Sequence, residues 1–140
     1  MLNRPVFRWF ATGLAALLLV ACSPMVKPPD LFPLEDDDFL LRMRWLDFQG
    51  AAQHMAEADR PAFLERFANN DDLRVVDFEV DRVDFQDDGR RAEVWYVLEY
   101  YRLPSATVKK ERFQLEWEFR EVEKLSAGTW LITTEFPQLP

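Results

Sequence analysis

From residue 112 to residue 120 the chain alternates without a break. Phe113, Leu115, Trp117 and Phe119 are apolar; Arg112, Gln114, Glu116, Glu118 and Arg120 are polar. Successive side chains of a strand point to opposite faces, so a period of two means a strand with one dry face and one wet face. Sheets with one solvated face are antiparallel, and the dry face needs a second layer over it. This stretch therefore commits the chain to an antiparallel sheet roofed on one side. Its neighbours share the period. Ala92, Val94, Tyr96, Leu98 and Tyr100 line one face of a strand expected over 91–103, and Trp130, Ile132, Thr134 and Phe136 line a last strand that Pro137 stops. Upstream, Val76, Phe78 and Val80 alternate with acids, after which Val83 and Phe85 take the opposite parity. That one-residue slip predicts a β-bulge near Asp81-Arg82.

Three turn signals, at Asp87-Asp88-Gly89-Arg90, Pro104-Ser105-Ala106-Thr107 and Ser126-Ala127-Gly128, make the four strands a meander. Pairing Leu103 with Val108 sets Leu98 against Phe113, Tyr96 against Leu115 and Val94 against Trp117, with Glu99 beside Arg112 on the other face. Phe119 falls opposite Trp130 in the last hairpin. A one-residue slip would spoil both faces.

The cover comes from the region before the strands. Asp36-Asp37-Asp38 suits a helix start, where free N–H groups favour carboxylates. Leu41, Trp45, Phe48, Ala52 and Met55 recur at helical spacing, widened by Phe39, Met43 and Leu46, and predict one apolar helix face over 36–57. Asp59-Arg60-Pro61 starts a second helix with Phe63, Leu64 and Phe67 inward. The expected class is thus α+β: two N-terminal helices on one face of a four-stranded antiparallel meander.

The N-terminus has a different character. Arg4 and Arg8 precede an uncharged stretch from Trp9 to Ala21, too short for a spanning helix of roughly 20 apolar residues. It closes on Leu19-Val20-Ala21-Cys22, which resembles the lipobox of bacterial lipoproteins. The resemblance implies that residues 1–21 are a cleaved signal and that Cys22 carries diacylglycerol and an N-acyl chain. Several acyl chains at about 0.8 kcal/mol per buried CH₂ make a stable anchor. By the same resemblance Ser23, where an Asp would favour inner-membrane retention, implies an outer-membrane address on the periplasmic side. Residues 22–35 are expected to be an extended, proline-rich tether, and 36–140 a single domain; docking of Leu31, Phe32 and Leu34 onto that domain is the other reading of so apolar a linker. Helices followed by a long antiparallel sheet, with Asp59-Arg60-Pro61-Ala62-Phe63-Leu64, Phe113-x-Leu115-x-Trp117 and Gly128-x-Trp130-x-Ile132, resemble cystatin-like and NTF2-like domains. Small outer-membrane lipoproteins that assist β-barrel assembly share the element order, but their glycine-rich turn signature is missing.

For function, the net charge is −8, and −10 once the signal arginines are removed, which opposes binding to nucleic acid or anionic lipid. One cysteine allows no internal disulfide. Four isolated glycines make no phosphate loop, no Cys/His/Asp cluster has metal spacing, and no cofactor is called for. No catalytic set is evident, and the lone His54 flanks the helix stripe. Two features stand above background. Trp95, Val97, Tyr101 and Leu103 lie on the outer face of the second strand, as an interaction patch for a protein partner or a second copy, or as a surface another element covers. Tyr96 and Tyr100 face inward and, with His54, could line a pocket for a small apolar ligand, with NTF2-like enzymes as the resemblance. The leading expectation is a non-catalytic, membrane-anchored binding module; the alternative is a ligand binder or enzyme using that pocket.

Overall fold

The computed structural model describes residues 27–122 and 127–140. The expected signal, the first five residues of the tether (22–26, with Cys22) and Ser126 lie outside the described residues. The α+β architecture is the one expected. Helix α1 runs Pro28–Arg44, a short α2 covers Phe48–Ala51 and continues as a 3₁₀ turn at Ala52–His54, and α3 covers Arg60–Phe67. Strands β1 (Leu73–Gln86), β2 (Arg91–Arg102), β3 (Lys109–Val122) and β4 (Ala127–Ile132) form one antiparallel sheet in the order β1-β2-β3-β4. Among the described residues no helix is long and apolar enough to cross a membrane.

The first correction is where the fold begins. The segment 28–35, expected as extended tether, is the first half of α1. Pro28 and Pro29 occupy the first turn, where a missing N–H costs nothing, and the Asp30 carboxylate accepts from the Lys27 backbone N–H at 3.2 Å. Phe32 then enters the core at 3% exposure, with ring centroids 5.1–5.5 Å from Trp130, Phe85 and Trp117. Proline count alone suggested an extended chain; the burial of one phenyl ring decides for helix.

The second correction concerns the buried face. The single helix expected over 36–57 breaks at Trp45-Leu46-Asp47, where Leu46 takes φ of 59° and the Asp47 side chain accepts from Gly50 N–H at 2.9 Å to start α2. The inward stripe of α1 is Phe32, Asp36, Phe39, Leu40 and Met43. Leu41 and Trp45, expected inside, point to solvent at 52% and 79% exposure. The break frees Phe48 and Ala52 from the phase that would have tied them to Trp45.

The sheet agrees in pleat and differs in register. The bulge expected near Asp81-Arg82 is present, between Val80 and Arg82, and a second lies between Val75 and Asp77, which turns Val76 outward. On β2 and β3, Tyr96 pairs with Phe113, Val94 with Leu115 and Ala92 with Trp117, and Glu99 lies beside Lys110. This is two residues from the expected register, and the last pair is Tyr100–Lys109. A shift of two keeps every side chain on its face. Phe119–Trp130 and Trp117–Ile132 pair as expected. After α2 the chain runs along β4, with Ala56 N–H donating to Ile132 O at 2.8 Å, so that this edge is covered. Phe39 sits at the centre of the core, within 6.3 Å of Phe78, Tyr96, Trp117 and His54 between ring centroids.

Candidate functional site

The helical spacing that buries Phe32, Phe39 and Met43 also buries Asp36. Its carboxylate meets the hydroxyl of Tyr96 on the inner face of β2, which donates to Asp36 Oδ1 at 2.5 Å. The same hydroxyl accepts from Trp117 Nε1 at 2.9 Å, from the neighbouring strand. Burial pushes the Asp36 carboxyl up to about 6, against the pull of the Tyr96 hydrogen bond, and Asp37 adds to the rise. Burial, and then the Asp36 charge, raise the Tyr96 phenol well above its ordinary value.

A second polar chain runs along the flank of α1. His54, at the end of the 3₁₀ turn, is buried and edge-on to Phe39 and Trp117. Its Nε2 lies 2.8 Å from Asp38 Oδ2 and its Nδ1 3.3 Å from Glu35 Oε2, so each ring nitrogen that carries a proton has an acceptor. Asp38 also accepts from Arg42 Nε at 2.6 Å, and Arg42 reaches Asp47 at 2.8 Å. The Arg42 hydrogen bond, with His54 assisting, holds the Asp38 carboxyl below its usual range. The Gly50 N–H and Arg42 do the same for Asp47.

A carboxyl near 6 beside a phenol and a histidine is the raw material of acid–base chemistry. Here these groups spend their hydrogen bonds on one another. Asp36 and His54 are buried, and Tyr96 and Trp117 are closed off completely. Every buried side-chain nitrogen and oxygen among the described residues has a partner. Three open surface depressions lie elsewhere: one of ≈410 Å³ against Leu46, Phe48, Leu64 and Phe67, one of ≈250 Å³ near Asn70 and Arg102, and one of ≈570 Å³ near Ala56 and Arg120. None of the three is lined by Asp36, Tyr96 or His54.

The three expected pocket residues do not all come together. Tyr96 and His54 both pack around Trp117, but Tyr100 does not join them. Its hydroxyl donates to Pro140 O at 2.8 Å, at the far end of the inner face. Its strand neighbour is Lys109, where the Leu103–Val108 register would have set Glu111. The residues missed from sequence are Asp36, Asp38, Glu35 and Trp117. The signal for Asp36 was present: it shares the helical phase of Phe39 and Met43, and an inward tyrosine needs a partner.

The outer-face patch has a mixed fate. The Arg82 guanidinium stacks 3.8 Å over the Trp95 ring. Val97 is 3% exposed, between Glu79 and Arg112 on the adjoining strands. Tyr101 is half-buried opposite Arg74, and Leu103 stands exposed beyond the end of β2. Exposed apolar groups also lie along α1 and at the residue that caps its C-terminus, where Leu34 is 70%, Leu41 52% and Trp45 79% exposed.

No family model matches this chain, and no curated protein does. Two solved structures are among those it is similar to. One is a SEC-C motif-containing protein from Rhodopseudomonas palustris, at 15% identity and a TM-score of 0.45, covering 84% of this chain and 83% of the other. The second is a putative polyketide cyclase from Pseudomonas putida, at 13% identity and a TM-score of 0.42, covering 80% of this chain and 92% of the other.

Proposed function

We propose that this protein is a lipid-anchored, periplasm-facing lipoprotein of the outer membrane that works as a non-catalytic binding module. The anchor rests on Leu19-Val20-Ala21-Cys22 and the signal-like stretch before it. The observation that carries the binding role is the division of labour on α1. Its inner face locks Asp36 into a closed hydrogen-bond network, while its outer face presents Leu34, Leu41 and Trp45 to solvent. A side chain like Trp45 is worth on the order of 2 kcal/mol when buried and gains nothing where it stands. Contact made at the surface, rather than chemistry inside, accounts for both faces.

The test has two parts. Cys22→Ala abolishes acylation and releases the protein from the membrane fraction; unchanged acylation overturns the anchor. In native membranes, Leu41→Ser with Trp45→Ser removes cross-linking to the bound partner, whereas Trp95→Ser with Tyr101→Ser leaves it intact. The opposite result moves the binding face to the sheet, and cross-linking indifferent to both pairs overturns the binding role at either face.

A further inference from the structure

The outward face of α1 is complementary to itself. Leu34, Leu41 and Trp45 lie seven and four residues apart, within an arc of about 40° around the helix. Asp37 and Asp38 flank this stripe in its first half, and Arg42 and Arg44 in its second. We infer that the partner of this face is the α1 helix of a second copy of this chain, laid antiparallel about a twofold axis at the level of Leu40. The inference rests on the binding role proposed above and names its occupant.

Such an axis, perpendicular to the helix, exchanges the ends of α1 and sets each flank against the same flank of the copy. Leu34 comes level with the second copy's Trp45. On one flank Asp38 meets the second copy's Arg42, and on the other Asp37 meets its Arg44. At 1.5 Å per residue the three pairings agree on one axis to within about 3 Å. A parallel arrangement sets opposite flanks together and would place Asp37 beside the second copy's Asp38 and Arg44 beside its Arg42, like against like. Within one chain Arg42 already holds Asp38 at 2.6 Å and Arg44 holds Asp77 at 2.9 Å, so the second copy extends existing ion pairs into a network. A lipid surface fits the stripe less well, because interfacial helices carry Lys and Arg beside their apolar face, and here the nearest charges include Asp30, Asp37 and Asp38.

The anchor proposed at Cys22 constrains the geometry further. Three side chains per copy fall short of the roughly 800 Å² per partner of a stable free complex, so the dimer is weak in solution and is favoured by confinement to a membrane. From Cys22 to Lys27 are five chain steps, a reach of about 18 Å at full extension. In the paired helices the two Lys27 positions stand about 40 Å apart. Both anchors then enter one bilayer only if the helix pair runs nearly in the membrane plane.

Full-length acylated protein carrying Leu41→Cys, oxidised in its own membrane, is expected to give a disulfide-linked dimer, while Trp95→Cys gives none. Sedimentation of the acylated chain in mild detergent should show dimer dissociation raised about tenfold or more by Trp45→Ser. Asp37→Arg and Arg44→Asp should each weaken the dimer, and the two combined should restore it. Restoration needs contact between copies, because the two positions lie seven residues apart on one helix. An adduct of Leu41→Cys with a different protein overturns the second-copy assignment and leaves the binding role standing. No adduct at either cysteine, with a monomer in detergent, overturns both.

Discussion

The hydroxyl of Tyr96 donates to the Asp36 carboxylate and accepts from the Trp117 indole, so one oxygen joins α1, β2 and β3 in the middle of the core. Apolar packing alone would let the helix slide or rotate on the sheet. A directional bond with both its neighbours buried fixes the helix in one phase. Tyr96→Phe should therefore cost more than a surface hydrogen bond, since it leaves a buried N–H and a buried carboxylate without that partner. We expect a loss of about 1–3 kcal/mol in chemical denaturation, with little change in the sheet signal of the native protein. A variant as stable as the parent would show the network to be dispensable.

The same network sets an unusual dependence on pH. Asp36 titrates at about 6 in the fold against 3.8 ordinarily. Between these values the native protein holds a proton that the unfolded chain has lost. Stability from this group therefore falls as pH rises through that window, by on the order of 3 kcal/mol in total. Below 3.8 both states are protonated and the penalty is absent; above about 6 it is fully present. Asp38 and Asp47, both held low, act with the opposite sign at more acid pH. Asp36→Asn isolates the first effect. Denaturation midpoints of parent and variant should diverge between pH 4 and 7, with the parent losing ground. Parallel curves would show that Asp36 keeps an ordinary pKa.

The sheet was legible because its period is strict and its turns are marked. Ala92, Val94, Tyr96, Leu98 and Tyr100 are all buried, as their alternation demanded. The register was not, because a shift of two residues preserves every face and sequence parity is blind to it. Helix α1 was the harder part. Apolar side chains at helical spacing lie on both of its faces, Phe32, Phe39 and Met43 on one and Leu34, Leu41 and Trp45 on the other. Periodicity cannot say which face the sheet takes. The deciding residue is Asp36, whose place in the core depends on Tyr96, 60 positions away.

Phe32 tests where the domain starts. A phenyl ring between Phe85, Trp117 and Trp130 cannot be removed without a cavity. Phe32→Ala should cost about 3–5 kcal/mol, measured by urea denaturation. Leu34→Ala, two residues on and exposed, should change stability by less than about 0.5 kcal/mol. If both substitutions prove neutral, the segment before residue 36 contributes nothing to the fold and is tether after all.

Gly89 carries the same argument to the β1–β2 hairpin. Its φ is +79°, and a Cβ there would stand 2.4 Å from Cγ of Pro29 in the first turn of α1. Alanine meets two separate objections, a backbone conformation that L-residues rarely adopt and a ring already in the way. The backbone part alone costs on the order of 1 kcal/mol, and the clash adds to it. The two can be separated, because Pro29→Gly removes the ring and leaves the hairpin unchanged. In a double-mutant cycle, Gly89→Ala should cost clearly less in the Pro29→Gly background than in the parent, by about 0.5 kcal/mol or more. Additive costs would mean that the start of α1 does not rest on the hairpin. A coupling of that size would place residues 28–30 against the sheet in solution, and with them the point from which the chain leads back to Cys22.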